Sequence, residues 1–181
     1  MRRETGYILL PTRRRVDVAA LARACDVPWR PWARRGLARA EHGTDGRVHL
    51  VVLRPSPDGV VVSVTGADAR DTEVLAPIAS RVRHALRLDS RRATRLRGTS
   101  AFEDAALELL GREPVSARAL LALGRRCPVA RSLRTFPDAA TIAAVPPRVL
   151  ARAVGSGARS RRLQALARGF AALAPAVPRT S

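Results

Sequence analysis

The side chains that could move a proton, attack a bond or hold a metal are few in this chain, and their spacing suits none of those tasks. His42, His49 and His84 show no ligand spacing and have no cysteine cluster beside them, so neither a metal site nor a cofactor is expected. The two cysteines, Cys25 and Cys127, lie far apart, form no ligand pair or disulfide framework, and read as buried thiols. Ser156 sits in no nucleophile elbow, and no Gly-rich phosphate loop is present. Glu103 and Asp104 are paired only in sequence; the spacing Ser100-Ala101-Phe102-Glu103 gives Glu103 a capping-box role instead. No residue is assigned a catalytic role.

What remains is arginine. Among 181 residues, 33 are basic and 15 acidic, a net charge of +18. If exposed, such a charge attracts phosphate polyanions and makes binding salt-dependent; an acidic membrane surface is the rival partner. Every basic residue is Arg, Lys and Asn are absent and Ala is abundant, which is the mark of a composition bias. The distribution therefore says more than the total. After Glu113, twelve Arg face one acid, Asp138, a net +11 over the last 68 residues. Bias raises Arg but does not strip Asp and Glu from successive amphipathic helices. Arg112 and Arg118 flank one turn of this region. Arg159, Arg161 and Arg162 follow Gly155-Ser156-Gly157 at a helix start, where free amides and basic side chains suit a phosphate. Trp29 and Trp32 could stack on a base, but packing against the sheet is the favoured reading.

The elements that must position these residues fall into two groups, an α+β fold class. Residues 6–10 read as a strand, and Arg13-Arg14-Arg15 follows. Val16, Val18, Leu21 and Ala22 suggest a short helix with Asp17 in its first turn, ended by Pro28-Trp29-Arg30-Pro31-Trp32. Gly36–Glu41, Val48–Leu53 and Val60–Thr65 read as strands, the last two a hairpin across residues 55–59. A helix is expected from about Thr72 to Leu88, with Pro77 in its early turns. Five helices follow: one opening at Ser100, one capped by Ser116 and running to about Arg126, a short one with Pro137 in its first turn, one from Pro146-Pro147 to Gly155, and one over about Arg159–Leu173. The expected division is a small N-terminal antiparallel sheet domain with helices (1–90), a linker (91–98), an all-α cluster (99–174) and a tail (175–181).

No stretch approaches the length of a membrane span, and Tyr7-Ile8-Leu9-Leu10 is too short for a signal peptide. A cytoplasmic monomer is expected, nucleoid-associated if it binds DNA, with no membrane partner.

Certain local sequences are more specific. Phe102-Glu103-Asp104 opening a helix and then Leu110-Gly111-Arg112-Glu113-Pro114-Val115-Ser116 resemble a stretch of the DNA-3-methyladenine glycosylases of the helix-hairpin-helix superfamily, typically F-E-x-L/V followed by L-G-Q-Q-V-S. Phe136-Pro137-Asp138, the Ile142–Val145 patch and Ala158–Ala167 are similar to that family's F-P-T-P-E-x-L and its basic helix R-x-x-x-L-x-x-L-A. More loosely, Val16-Asp17 before a strand layer and Leu86-Arg87-Leu88-Asp89 resemble its N-terminal β domain. The resemblance covers roughly residues 6–173.

What the resemblance implies is base excision from double-stranded DNA: bending, flipping a damaged base into an aromatic pocket, and cleaving its N-glycosidic bond. It also implies a hairpin L-P-G-[VI]-G on a phosphate and an Asp opposite the cationic sugar. Here the paired glutamines are replaced by Arg112-Glu113-Pro114, the linker after Asp89 is shortened, and nothing after Ala167 supplies the hairpin or the Asp. Val154-Gly155-Ser156-Gly157 is at most a degenerate hairpin, and no carboxylate follows Asp138, itself read as a helix cap. The expectation is a DNA-binding relative that is truncated or non-catalytic as it stands, contacting DNA through Arg112, Arg118, Gly155, Gly157, Arg159, Arg161 and Arg162. The alternatives are an active glycosylase with an unusual carboxylate, and a basic protein-interaction module with no DNA role.

Overall fold

The computed structural model describes residues 4–12, 16–23, 28–33, 36–66, 71–88 and 96–173. Arg13-Arg14-Arg15, Cys25, Asp89, most of the expected linker and the tail lie outside the described residues. The architecture is α+β: a five-stranded antiparallel sheet followed by six helices.

The strands are β1 (Thr5–Pro11), β2 (Arg30–Trp32), β3 (Gly36–His42), β4 (Val48–Ser56) and β5 (Gly59–Thr65), with α1 (Val18–Arg23) between β1 and β2. Their spatial order is β1-β5-β4-β3-β2. β3 is buried almost end to end and β4 continuously over Val48–Leu53, rather than at alternate residues. Antiparallel strands usually keep a polar face in water, so the near-continuous apolar run Val48–Leu53 requires both faces to be covered. On one face Leu37, Val51, Leu53, Val62 and Val64 pack on α2 (Thr72–Leu86) through Ile78 and Val82. On the other, Ala38, Ala40, Val48, Leu50 and Val52 meet Cys127, Ala130 and Leu133.

Two expectations at the sheet are corrected. The segment Pro28–Trp32 does not merely end α1: residues 30–32 add an edge strand to β3, where Pro31, lacking an N–H, costs no internal ladder bond. The hairpin loop is tighter than residues 55–59, because Ser56 pairs with Gly59 and only Pro57-Asp58 turn. Helix α2 begins at Asp71, whose carboxylate accepts from the amides of Glu73 and Val74. Pro77 cannot donate to the Glu73 carbonyl, and the Thr44 hydroxyl donates there instead at 2.9 Å. The helix stops at Leu86, two residues short of the expected end, because Arg87 turns into the left-handed region (φ 51°).

The remaining helices are α3 (Ala101–Leu109), α4 (Pro114–Leu121), α5 (Ala139–Ala144), α6 (Pro147–Val154) and α7 (Gly157–Leu173). Their shared core includes Phe102, Leu110, Leu120, Ile142, Leu150 and Leu163. Phe102 meets Phe136 and Phe170 edge-on. Here α4 starts at Pro114, not at a Ser116 cap, and ends five residues before Arg126. Proline at the first helical position needs no N–H, so it opens the helix by itself. Ser116 is buried one turn in and donates to Glu113 Oε2. Pro137 precedes the cap of α5 rather than lying in its first turn, and Asp138 Oδ1 accepts from the Thr141 amide at 2.7 Å, the capping role expected of it.

Candidate nucleic-acid interface

The predicted contact residues come from three places in the helical layer. Arg112 follows α3 in a left-handed conformation (φ 55°), and its side chain turns inward, toward the Leu96 carbonyl and the Asp104 carboxylate. Arg118 is exposed on α4, and Arg161 and Arg162 are exposed on the first turns of α7. Gly155, at φ 68°, ends α6 in a conformation disfavoured for a side chain, and Gly157 is the first residue of α7. The two helices are thus joined by Gly155-Ser156 alone, with the Ser156 hydroxyl accepting from the Arg159 amide.

Arg159 and Arg112 are committed to protein partners. Arg159 Nη1 lies 2.8 Å from Glu113 Oε2, which ties the start of α7 to the start of α4. The hydrogen bond and charge of Arg159, with the Ser116 hydroxyl, hold the Glu113 carboxyl below the usual glutamate range. By contrast, Arg118, Arg148, Arg152, Arg161, Arg162 and Arg168 are all exposed and carry no partner among the described residues. The one acid within residues 114–173, Asp138, is used as a cap. Residues 114–173 therefore present guanidinium groups with no ion-pair partner among the described residues.

Sequence reasoning missed the buried polar cluster that seats this layer on the sheet. Arg39 and Glu41, two apart on β3, share a face. Arg39 donates from Nη1 and Nη2 to both carboxylate oxygens of Glu103, each at 2.9 Å, and also pairs with Glu41. The Thr99 hydroxyl lies 2.7 Å from Glu41 and 3.0 Å from Glu103. Glu103 was expected to close a capping box on Ser100; it accepts from the Thr99 amide instead, while Ser100 caps the Glu103 amide. Trp29 is buried with the Arg39 guanidinium 5.3 Å above its ring, so it packs in the core as favoured. Burial pushes the Glu41 carboxyl up and nearby Glu103 adds to this, against the lowering effect of Arg39, Arg81 and Thr99. Burial also lowers the His42 pKa, helped by Arg125, Arg81 and Arg39 and opposed by Asp138. The signal in the sequence was two charges at period two inside an apolar strand. Such charges are buried only when paired.

These groups border a cavity of about 200 Å³ between β3, α2 and the 135–138 segment. Its charges are largely spent on each other, which joins the sheet to the helices. No group of three or more His, Cys, Asp or Glu among the described residues could hold a metal ion. No described helix is long and apolar enough to cross a membrane.

No family model and no curated protein sequence matches the chain. Among solved structures, it is similar to the 3-methyladenine DNA-glycosylase from Archaeoglobus fulgidus, with a TM-score of 0.70 and 14% sequence identity over 89% of this chain and 66% of that one. At that identity the likeness concerns the backbone and not the chemistry. This chain therefore has the fold of about two thirds of a 3-methyladenine DNA-glycosylase.

Proposed function

We propose that this chain binds double-stranded DNA as a relative of the DNA-3-methyladenine glycosylases, and that it does so without cleaving the glycosidic bond. The observation that carries the reading is the pairing of a glycosylase-like fold with an acid-poor run of helices, residues 114–173, whose exposed Arg118, Arg161 and Arg162 have no partner among the described residues. Arg118, Arg161 and Arg162 are its primary phosphate contacts, with the amides at Gly155 and Gly157 beside them. Arg159 ties α7 to the start of α4 through Glu113, Arg112 holds the turn after α3 to Asp104, and both add to the positive field.

Cleavage of an N-glycosidic bond calls for a carboxylate facing the developing positive sugar. Within residues 114–173 the one acid is Asp138, occupied by the Thr141 amide; Glu113 is held by Arg159, and Glu41 and Glu103 are enclosed with Arg39. That arrangement favours binding over hydrolysis.

Salt-titrated binding to a DNA duplex tests the reading. The affinity is expected to fall linearly with salt on logarithmic axes, and Arg161→Gln with Arg162→Gln to flatten the slope by about 0.9 per lost phosphate contact. An affinity independent of salt removes the DNA role. Release of free 3-methyladenine from a methylated duplex removes the non-catalytic part alone.

A further inference from the structure

A second cavity, of about 220 Å³, lies between β2, α4 and the turn that precedes α5. Arg30 of the edge strand, Arg118 of α4 and Arg134 of the turn line it, together with Ser132, Leu121 and Leu133. No carboxylate is among the described residues that line it. Three arginines from three separate elements thus line one hollow with no acid among its described lining residues, an arrangement whose positive field an anion would complement.

One wall is fixed in advance. Arg134 Nη1 donates to the Gly124 carbonyl at 2.8 Å, which anchors the guanidinium and leaves its other N–H groups unshared among the described residues. Its backbone is bridged to Arg126, and the neighbouring Thr135 amide donates to the Arg125 carbonyl at 2.9 Å. Arg30 and Arg118 are exposed and have no described partner. The buried leucines lower the local dielectric on one side, which strengthens attraction to an anion.

The shape of the charge selects the ligand. A planar carboxylate is saturated by one or two guanidinium forks, whereas a tetrahedral phosphoryl group offers oxygens in three directions. We infer that this cavity is a phosphoryl-binding site formed by Arg30, Arg118 and Arg134, with Ser132 as a further donor. The inference extends the DNA reading and rests on it only for the source of the phosphoryl group: a DNA backbone diester, or a free phosphate.

The test uses the full chain, titrated separately with inorganic phosphate and with a short DNA duplex at low salt. Arg30→Gln and Arg118→Gln replace exposed side chains; Arg134→Gln is checked by thermal melting because it also holds Gly124. Exposed Arg54 on β4 supplies the control, Arg54→Gln. The expected result is a loss of phosphate binding of roughly tenfold for each cavity variant and none for the control, as for removal of a charged hydrogen-bond donor. If Arg30→Gln weakens the duplex in parallel, the phosphoryl group is DNA's. If phosphate binding falls while duplex binding is unchanged or absent in the parent, the site stands with a free phosphate as its ligand. Phosphate binding that is undetectable, or equally affected by Arg54→Gln, overturns the site, and the duplex titration then judges the DNA reading by itself.

Discussion

Both terminal nitrogens of Arg39 sit 2.9 Å from the two carboxylate oxygens of Glu103, so one flat, doubly bonded fork joins β3 to the first turn of α3. Removing either partner strands the other charge in a buried setting. Arg39→Met or Glu103→Met is expected to cost about 3–5 kcal/mol. The double variant Arg39→Met/Glu103→Met is expected to cost clearly less than the sum, with Glu41 free to take up a proton. Urea denaturation of the cycle measures this, and additive losses would refute the coupling.

The raised pKa of Glu41 sets a pH dependence of definite sign. The folded chain holds this proton more tightly than the unfolded chain, so the contribution is complete below the ordinary glutamate value near 4.5 and is lost as pH rises through the folded value. Glu41→Gln stays neutral and does not follow it. From about pH 4.5 upward the wild type should lose stability relative to Glu41→Gln. Denaturation of both at a series of pH values decides it, and a constant difference would refute the linkage.

Gly124 lies where a Cβ would meet the Thr135 carbonyl oxygen at 1.8 Å. That contact is backbone on backbone, and Arg125 and Thr135 pin it by hydrogen bonds on both strands of the turn. Gly124→Ala is expected to destabilise by about 2 kcal/mol or more, since neither side can yield without breaking those bonds. A melting temperature equal to the wild type's would contradict it.

Glu113 holds Arg159 and is the acid nearest the start of α7 by hydrogen bonding. Glu113→Gln removes a negative charge and releases a guanidinium. Duplex affinity at low salt should rise roughly two- to fivefold, and the gain should shrink as salt screens it. Equal affinities at low salt would place Glu113 and Arg159 outside the field the DNA feels. Lowering the pH should give the wild type part of the same gain, but only below the usual glutamate range, because Arg159 depresses the Glu113 pKa.

Periodicity made most elements legible. The strands β1, β3, β4 and β5, the helix α2 and all five later helices carry their pattern in consecutive residues. What the pattern could not give was the consequence of neighbours distant in sequence. β2 exists because Arg30–Trp32 lies against Gly36–Ala38, not because its three residues favour a strand. Glu103 sits at the right spacing for a capping box, yet a buried Arg39 sixty-four residues earlier outbids the Ser100 amide for its carboxylate. For the arginines, sequence identified the acid-poor region correctly from composition. It could not separate Arg118, Arg161 and Arg162, which face water, from Arg112 and Arg159, which carboxylates hold.

Cys127 is fully buried where the second face of the sheet meets the helical layer. A thiol in that position can be alkylated only when the two layers part. In a Cys25→Ser background its labelling rate is therefore a clock for their separation. Because β3 and β4 are covered on both sides, opening at Cys127 also uncovers the back of the strands that carry Arg39. Local gaping and global unfolding should then share one free energy, and the labelling rate should follow the same denaturant dependence as the loss of structure.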